Sequence, residues 1–331
     1  MSYDAAILTH YLAPLRAALD DAGVLEVVVN APGEFGIERR QGWEWRVSPE
    51  LCPENLMRIA IAAAAATHQD VTPVQPVCST VLPTGERCQI VLPPAAETIS
   101  LTLRKPAHET YSLEELGRSG FFGDGSVPSG RRDDASLTAL RAAGDWPGFF
   151  RAAVTSRRNI LVSGATGSGK TTFAKTLVQL IPPNERLITI EDARELVVPH
   201  RNAVHLLYAK DDQGLARVGP KALLESALRM RPDRILLQEL RDASAYFFLR
   251  NVNTGHPGSI TTIHANSADL AFEQLILLVK ESDAGRDLRR DDIREMLRSL
   301  VDIVVHVERR HDRFRLAEVW HEPACARALA A

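Results

Sequence analysis

The spacing of apolar side chains changes from helical to strand-like within the first 50 residues. Residues 4–20 carry apolar side chains at helical spacing, which predicts an amphipathic helix. An alanine-rich segment at 54–67 predicts a second helix. Alternating segments bounded by turn signals predict short strands at 24–30, 34–39, 43–47, 77–82, 89–92 and 99–104. The pattern therefore predicts a small α+β domain, which we place at residues 1–116.

From residue 159 onward, short apolar segments alternate with helical ones. Strands are predicted at 160–163, 187–190, 235–237 and 260–263. This alternation is typical of βαβ units in a parallel sheet, so we predict an α/β domain at 136–331. Residues 117–135 are rich in glycine and lack sustained periodicity, and we interpret them as a linker.

Composition and charge narrow the functional classes. The chain has 331 residues and 45% of them are hydrophobic, which is enough for two ordinary domains. The formal net charge is −3, so no overall positive field favours nucleic acid, and we expect no sequence-specific binding to it. The N-terminus has no signal-peptide pattern, and the longest apolar block, 59–66, is far shorter than the roughly 20 residues that span a bilayer. These features predict a cytoplasmic protein, with peripheral membrane attachment left open.

Residues 164–171 match the phosphate-binding pattern GxxxxGK[ST] between a predicted strand and a predicted helix. In such a loop, backbone N–H groups and the positive end of the helix dipole favour phosphate oxygens. We expect Lys170 to neutralise the β and γ phosphates of ATP and the Thr171 hydroxyl to bind Mg²⁺. The residues expected to hold the nucleotide are Gly164, Ala165, Thr166, Gly167, Ser168, Gly169, Lys170, Thr171 and Thr172. Thr172 is interpreted as a residue of the first helical turn rather than a second metal ligand.

Carboxylates follow two of the predicted parallel strands. Glu191 and Asp192 follow one strand and Glu239 follows another, at the edge where an open α/β sheet binds its ligand. We expect Glu239 to orient and deprotonate the attacking water. Gln238 stands where many phosphate-loop ATPases carry an aspartate that supports Mg²⁺. That support is therefore expected from Asp192 through water, from Glu191, or from bound water alone.

One histidine and three arginines are further candidates. His264 ends the strand at 260–263, where it can sense the γ-phosphate or hydrogen-bond developing charge; the alternative is a structural histidine. Arg104 closes the first domain, and Arg131 and Arg132 lie in the linker. A guanidinium supplied by another domain or subunit stabilises a transferring phosphoryl group, so these arginines are candidates for that role; the alternative is surface charge.

These motifs together resemble those of the type IV secretion traffic ATPases, relatives of the type II secretion and pilus motor ATPases. The resembling segments are the opening and closing strands of the first domain, the phosphate loop, an aspartate box, a Walker B region and a histidine box. They lie at 27–34, 100–106, 164–171, 189–195, 228–241 and 255–265. The resemblance covers nearly the whole chain.

The resemblance implies a RecA-like C-terminal domain and a homohexameric ring that binds MgATP between the N-terminal and C-terminal domains. It implies catalytic roles for Lys170, Glu239, Glu191, His264 and Arg104. It implies no role for the linker arginines. At position 238 this chain has Gln238 where the family commonly has a glycine. The implied partners are other secretion-system ATPases and inner-membrane channel components, with peripheral contact to the inner membrane.

Three alternative functions stay open from the residues. A type II secretion or pilus motor is the nearest, although type II secretion motors usually carry a paired-cysteine zinc module. The cysteines of this chain, Cys52, Cys78, Cys88 and Cys325, lack such spacing and are interpreted as reduced thiols. A RecA-like helicase or packaging motor would be stimulated by DNA or RNA. A nucleotide-gated scaffold would bind ATP without releasing phosphate.

Overall fold

The N-terminal half forms a six-stranded antiparallel sheet with helices packed against it. The computed structural model describes residues 3–106, 112–122, 134–210, 213–253 and 255–322. The sheet has the strand order β3-β2-β1-β6-β5-β4. The elements are α1 (Tyr3–Tyr11), a 3₁₀ turn (Ala13–Leu15), α2 (Arg16–Asp20), β1 (Glu26–Val29), β2 (Glu34–Arg39), β3 (Gly42–Val47), α3 (Pro53–Ala65), β4 (Val77–Val81), β5 (Arg87–Val91) and β6 (Ser100–Arg104).

The single helix predicted over 4–20 is wrong, because the structure breaks it between α1 and α2. Pro14 lies in the intervening 3₁₀ turn, and proline has no backbone N–H to continue a helical ladder. The predicted apolar face is nevertheless buried, since Leu8, Leu12, Leu15 and Leu19 all join the core of the N-terminal sheet. Burial of this face fixes both short helices despite the break.

The C-terminal half is built around parallel strands, as the alternating pattern predicts. Its elements, after α4 (Leu113–Arg118), are α5 (Asp134–Ala142), α6 (Trp146–Thr155), β7 (Ile160–Gly164), α7 (Lys170–Val178), β8 (Leu187–Glu191), β9 (Ala203–Leu207), α8 (Pro220–Ala227), β10 (Arg234–Leu237), α9 (Ser244–Asn253), β11 (Ile260–His264), α10 (Ala268–Glu281), α11 (Arg290–Leu300), β12 (Ile303–Arg310) and β13 (Arg313–His321). The predicted fold class, a parallel-rich α/β domain after a smaller α+β domain, is confirmed.

Two sets of parallel strands meet at the centre of this domain. One has the order β10-β8-β9 and the other the order β11-β7-β12-β13, in which only β13 is antiparallel to its neighbour. A parallel bridge between Glu239 and Thr262 joins β10 to β11. The carboxyl ends of β7, β11 and β10 therefore lie side by side, and we call this side of the sheet the carboxyl edge.

The N-terminal domain packs at the opposite, amino-terminal edge of the parallel strands. Arg186, just before β8, donates from Nη1 to Oδ1 of Asn30 at 2.8 Å and from Nη2 to Oγ1 of Thr102 at 3.3 Å. Arg231, before β10, donates from Nε to Oε2 of Glu38 at 2.9 Å. Backbone hydrogen bonds between the 95–97 segment and β9 add a second contact along the sheet edge.

Candidate functional site

The loop between β7 and α7 has the backbone of a phosphate cradle. Gly169, the N-cap of α7, has φ = 90°, a conformation that a side chain disfavours, and no side chain caps the helix there. A methyl group added at Gly164 would clash with Oγ of Ser168 and with the carbonyl oxygen of Val307. The Ser168 hydroxyl is buried and has no hydrogen-bond partner in the described part of the chain. The cradle therefore suits an anion held by backbone groups at a helix N-terminus.

The side chain of Lys170 is held inside this loop by backbone carbonyl groups of the loop. Its Nζ donates to the carbonyl oxygens of Gly164 at 2.8 Å and Ala165 at 2.9 Å. Burial lowers the pKa of the ammonium group, while the nearby carboxylate of Glu239 acts in the opposite direction. A phosphate oxygen is a stronger partner for this cation than a neutral carbonyl, so the lysine is placed to exchange one for the other.

Lys170, His264 and Glu239 form a continuous row at the carboxyl edge. Nζ of Lys170 lies 3.3 Å from Nδ1 of His264, and Nε2 of His264 lies 2.7 Å from Oε1 of Glu239. The sheet register produces this row, because His264 pairs with Gly164 and the strand end carrying Glu239 bridges to Thr262. The structure thus brings together three residues that the sequence predicts as functional from three separate motifs.

Gln238 links three strand ends beneath this row. Its N–H donates to the carbonyl oxygen of Ile190 at 3.0 Å, and its Oε1 accepts from the N–H of Asp192 at 3.3 Å. Its own carbonyl oxygen accepts from Oγ1 of Thr262 at 2.9 Å. A glutamine at this position therefore positions the backbone that carries Glu239.

Glu191 is buried within the loop that follows β8. Its side chain is fully buried, and Oε2 accepts from the N–H groups of Glu195 at 2.8 Å and Leu196 at 2.7 Å. Oε1 accepts from Oγ1 of Thr189 at 3.0 Å. These contacts hold the loop after β8, and the predicted catalytic role of Glu191 stays a prediction.

Asp192 forms ion pairs with two cationic side chains. Its Oδ2 lies 2.7 Å from Nζ of Lys210 and accepts from Nη1 of Arg241 at 2.6 Å. Burial alone would raise the pKa of this carboxyl, but the hydrogen bonds from Lys210 and Arg241 outweigh it and hold the pKa below its ordinary value. A water-mediated bond from Asp192 to Mg²⁺ would have to compete with both pairs.

Arg104 lies away from the phosphate loop of its own chain. It lines a cavity of about 580 Å³ with Arg87 and with Arg229, which lies in the chain between α8 and β10. The phosphate loop is at the carboxyl edge, and a five-residue parallel strand alone spans roughly 16 Å. The predicted role of Arg104 at the nucleotide stays a prediction, and this placement favours supply of the arginine by another subunit. Arg131 and Arg132 lie outside the described residues.

Comparisons with known proteins agree with this geometry. A family model described as "Type II/IV secretion system protein" matches residues 142–328. VirB11 of Bartonella quintana is 47% identical over 96% of this chain and 94% of its own length, and VirB11 of Brucella suis is 46% identical over 98% and 93%. The crystal structure of the VirB11 ATPase from the Brucella suis type IV secretion system, in complex with sulphate, superposes with a TM-score of 0.92. It is 45% identical, covering 99% of this chain and 98% of that one.

The chain belongs to the type II/IV secretion system protein family. Within that family its similarity is to the VirB11 ATPases over nearly the full length, so the resemblance inferred from the motifs is confirmed. Among the described residues, no helix is both long and apolar enough to cross a bilayer.

Sequence reasoning missed the two cations around Asp192. Arg241 follows Glu239 by two residues within the Walker B region, and it donates to Oη of Tyr208 at 2.9 Å as well as to Asp192. The sequence offered one signal for Arg241, which is its position two residues after the catalytic candidate Glu239. Lys210 offers no such signal, because its contact with Asp192 depends on how the segment after β9 folds back.

Proposed function

We propose that this protein hydrolyses MgATP and couples the reaction to transport by a bacterial type IV secretion system. The observation that carries the proposal is the row formed by Lys170, His264 and Glu239 beside a phosphate cradle. Family membership supports the coupling to secretion. The transported substrate is left unassigned.

Each residue of the row has a distinct role in this proposal. Lys170 leaves the carbonyl oxygens of Gly164 and Ala165 and binds the β and γ phosphates. Glu239 orients the attacking water and accepts its proton. His264, between the two, responds to the charge on the γ-phosphate and aligns Glu239 through their 2.7 Å contact.

Mg²⁺ fits this site through the half-buried hydroxyl of Thr171, at the first turn of α7. When bound, the ion would neutralise phosphate charge and orient the two terminal phosphates. Asp192 would act only through a water bound to the ion, since Lys210 and Arg241 already hold its carboxylate. Thr172 is exposed, and in this proposal it serves as a residue of the first helical turn and contacts the α-phosphate.

A neighbouring copy completes the site in this proposal. The N-terminal domain packs at the amino-terminal edge of its own parallel strands, so its cationic cavity lies away from its own phosphate loop. Arg87, Arg104 and Arg229 have no carboxylate partner within ion-pair distance in the described ranges. In a homohexameric ring, Arg104 of one subunit would reach the nucleotide of the next. The ring would act at the cytoplasmic face of the inner membrane with other secretion ATPases and channel components.

Phosphate release measured together with native mass tests the proposal. The wild-type protein is expected to release phosphate from MgATP and to form a six-subunit species in its presence. Nucleotide binding without phosphate release would favour a nucleotide-gated scaffold. Strong stimulation of hydrolysis by DNA or RNA would favour a nucleic-acid motor.

A further inference from the structure

The hairpin formed by β12 and β13 extends over the phosphate loop. Strand β12 runs parallel to β7, with Ile303 opposite Ile160 and His306 opposite Ser163. It continues to Arg310, beyond the last residue of this pairing, before turning back into β13. The tip of the hairpin therefore projects past the carboxyl edge, where the phosphate cradle opens.

Phe314, on the returning strand of this hairpin, lies against the cradle itself. A methyl group added at Gly169 would be 2.8 Å from Cδ1 and 3.0 Å from Cγ of the Phe314 ring. The ring thus covers the residue immediately before Lys170. Despite this contact, Phe314 remains 60% exposed, which is a large exposed fraction for an aromatic residue.

The face of β13 that carries Phe314 looks towards α7. Successive strand residues alternate between faces, so Phe314 and Leu316 share one face and Arg313 and Arg315 share the other. Leu316 packs against the core cluster that contains Ala174 and Leu177 of α7. Phe314 therefore lies at the N-cap of α7, while Leu316 anchors the strand below it.

We infer that Phe314 is the platform on which the purine base of the bound nucleotide stacks. The inference deepens the proposed function and rests on it. The phosphates enter the cradle between Gly164 and Thr171, and the base must lie within the length of one nucleotide from them. A largely exposed aromatic ring that lies next to Gly169 satisfies this condition, and aromatic rings stack on any base because every base has a π-face. The platform should accept adenine and guanine with similar affinity.

Calorimetry with two probes separates base binding from phosphate binding. MgATP carries a base, and Mg-tripolyphosphate carries the phosphates alone. Phe314→Leu keeps an apolar side chain against Gly169 but removes the aromatic face, whereas Phe314→Tyr keeps that face. Leu277→Ala, which removes an exposed apolar side chain from α10 of the same domain, serves as the control.

The inference predicts that Phe314→Leu weakens MgATP binding by about 5- to 150-fold, the range expected for loss of one stacked base. Tripolyphosphate affinity should stay within about twofold of wild type, and Phe314→Tyr and Leu277→Ala should bind both probes normally. Unchanged MgATP binding by Phe314→Leu would overturn the inference, and so would equal weakening of both probes, which would mean that the ring shapes the loop. If wild-type protein bound neither probe, the proposed function itself would fail.

Discussion

Nε2 of His264 lies 2.7 Å from Oε1 of Glu239, and the other nitrogen of the same imidazole lies 3.3 Å from Nζ of Lys170. One histidine therefore connects the cation expected to bind phosphate with the carboxylate expected to activate water. The three residues come from three different elements, α7, β11 and the end of β10. Their proximity follows from the order in which those strands lie in the sheet.

Removing the His264 ring should slow the chemical step more than it weakens binding. We expect His264→Ala to lower kcat about 10- to 100-fold, because Glu239 loses the group that aligns it. The dissociation constant for MgATP should stay within about twofold of wild type. Steady-state phosphate release and calorimetry measure the two quantities, with His10→Ala, which removes an exposed histidine of the other domain, as the control. A matching loss of affinity and rate would mean that His264 serves binding.

Removing the Lys170 ammonium should abolish productive binding. We expect Lys170→Ala to weaken MgATP binding at least about 100-fold, because the charge-assisted contact with the phosphates is lost. Lys175→Ala, in the last turn of the same helix, should bind normally. Calorimetry measures both variants. Near-normal affinity of the Lys170 variant would exclude the cradle as the phosphate site.

Arg104 provides a test of whether the site is shared between subunits. Arg104→Ala and Lys170→Ala should each be nearly inactive, since an arginine that stabilises the transition state contributes about 10³-fold or more. In mixed rings from coexpression, about a quarter of the interfaces would pair an intact arginine with an intact phosphate loop by random assortment. Phosphate release should therefore recover to about a quarter of wild type. If both residues acted within one chain, the mixed rings would stay inactive.

Glu26 should make the stability of the protein depend on pH. Its side chain is only 3% exposed, and burial raises its pKa to about 7; Arg104, Arg186 and Arg231 oppose this rise and Glu38 adds to it. Because the folded protein holds this proton more tightly than the unfolded chain, the stabilisation is complete below pH 4.5 and is lost as pH rises through 7.

The free energy of unfolding of wild type, relative to Glu26→Gln, should fall by up to about 3 kcal/mol between pH 5 and pH 8. Urea unfolding of both proteins at the two pH values measures this difference. Glu50→Gln, which alters an exposed carboxylate, should follow wild type. A wild-type and Glu26→Gln pair with parallel pH profiles would show that Glu26 is ionised in the folded protein.

The sequence pattern predicts local features of this fold well. The phosphate loop is recognisable because its glycines, lysine and flanking strand lie within a few adjacent residues. The strand bearing His264 is equally clear, since its four residues before the histidine are all β-branched, which favours a strand. The break between α1 and α2 could also have been predicted, because Pro14 is a strong local signal against a continuous helix.

Long-range contacts were beyond prediction from one sequence. The packing of the N-terminal domain depends on pairs such as Arg186 with Asn30 and Arg231 with Glu38, which are far apart in the chain. That packing decides where Arg104 lies. The pairing of Asp192 with Lys210 likewise follows from the fold of a loop. The sequence therefore contains no sign that this carboxylate already forms an ion pair. The domain and linker limits at 116 and 135 stay predictions.

The central claim is that the cradle holds ATP and Glu239 drives its hydrolysis. The most direct measurement incubates Glu239→Gln with MgATP, removes free nucleotide and identifies what remains bound. The account predicts bound ATP that persists through many wild-type turnover times, because the water lacks its base. Recovery of ADP at the wild-type rate, or of no nucleotide at all, would contradict it.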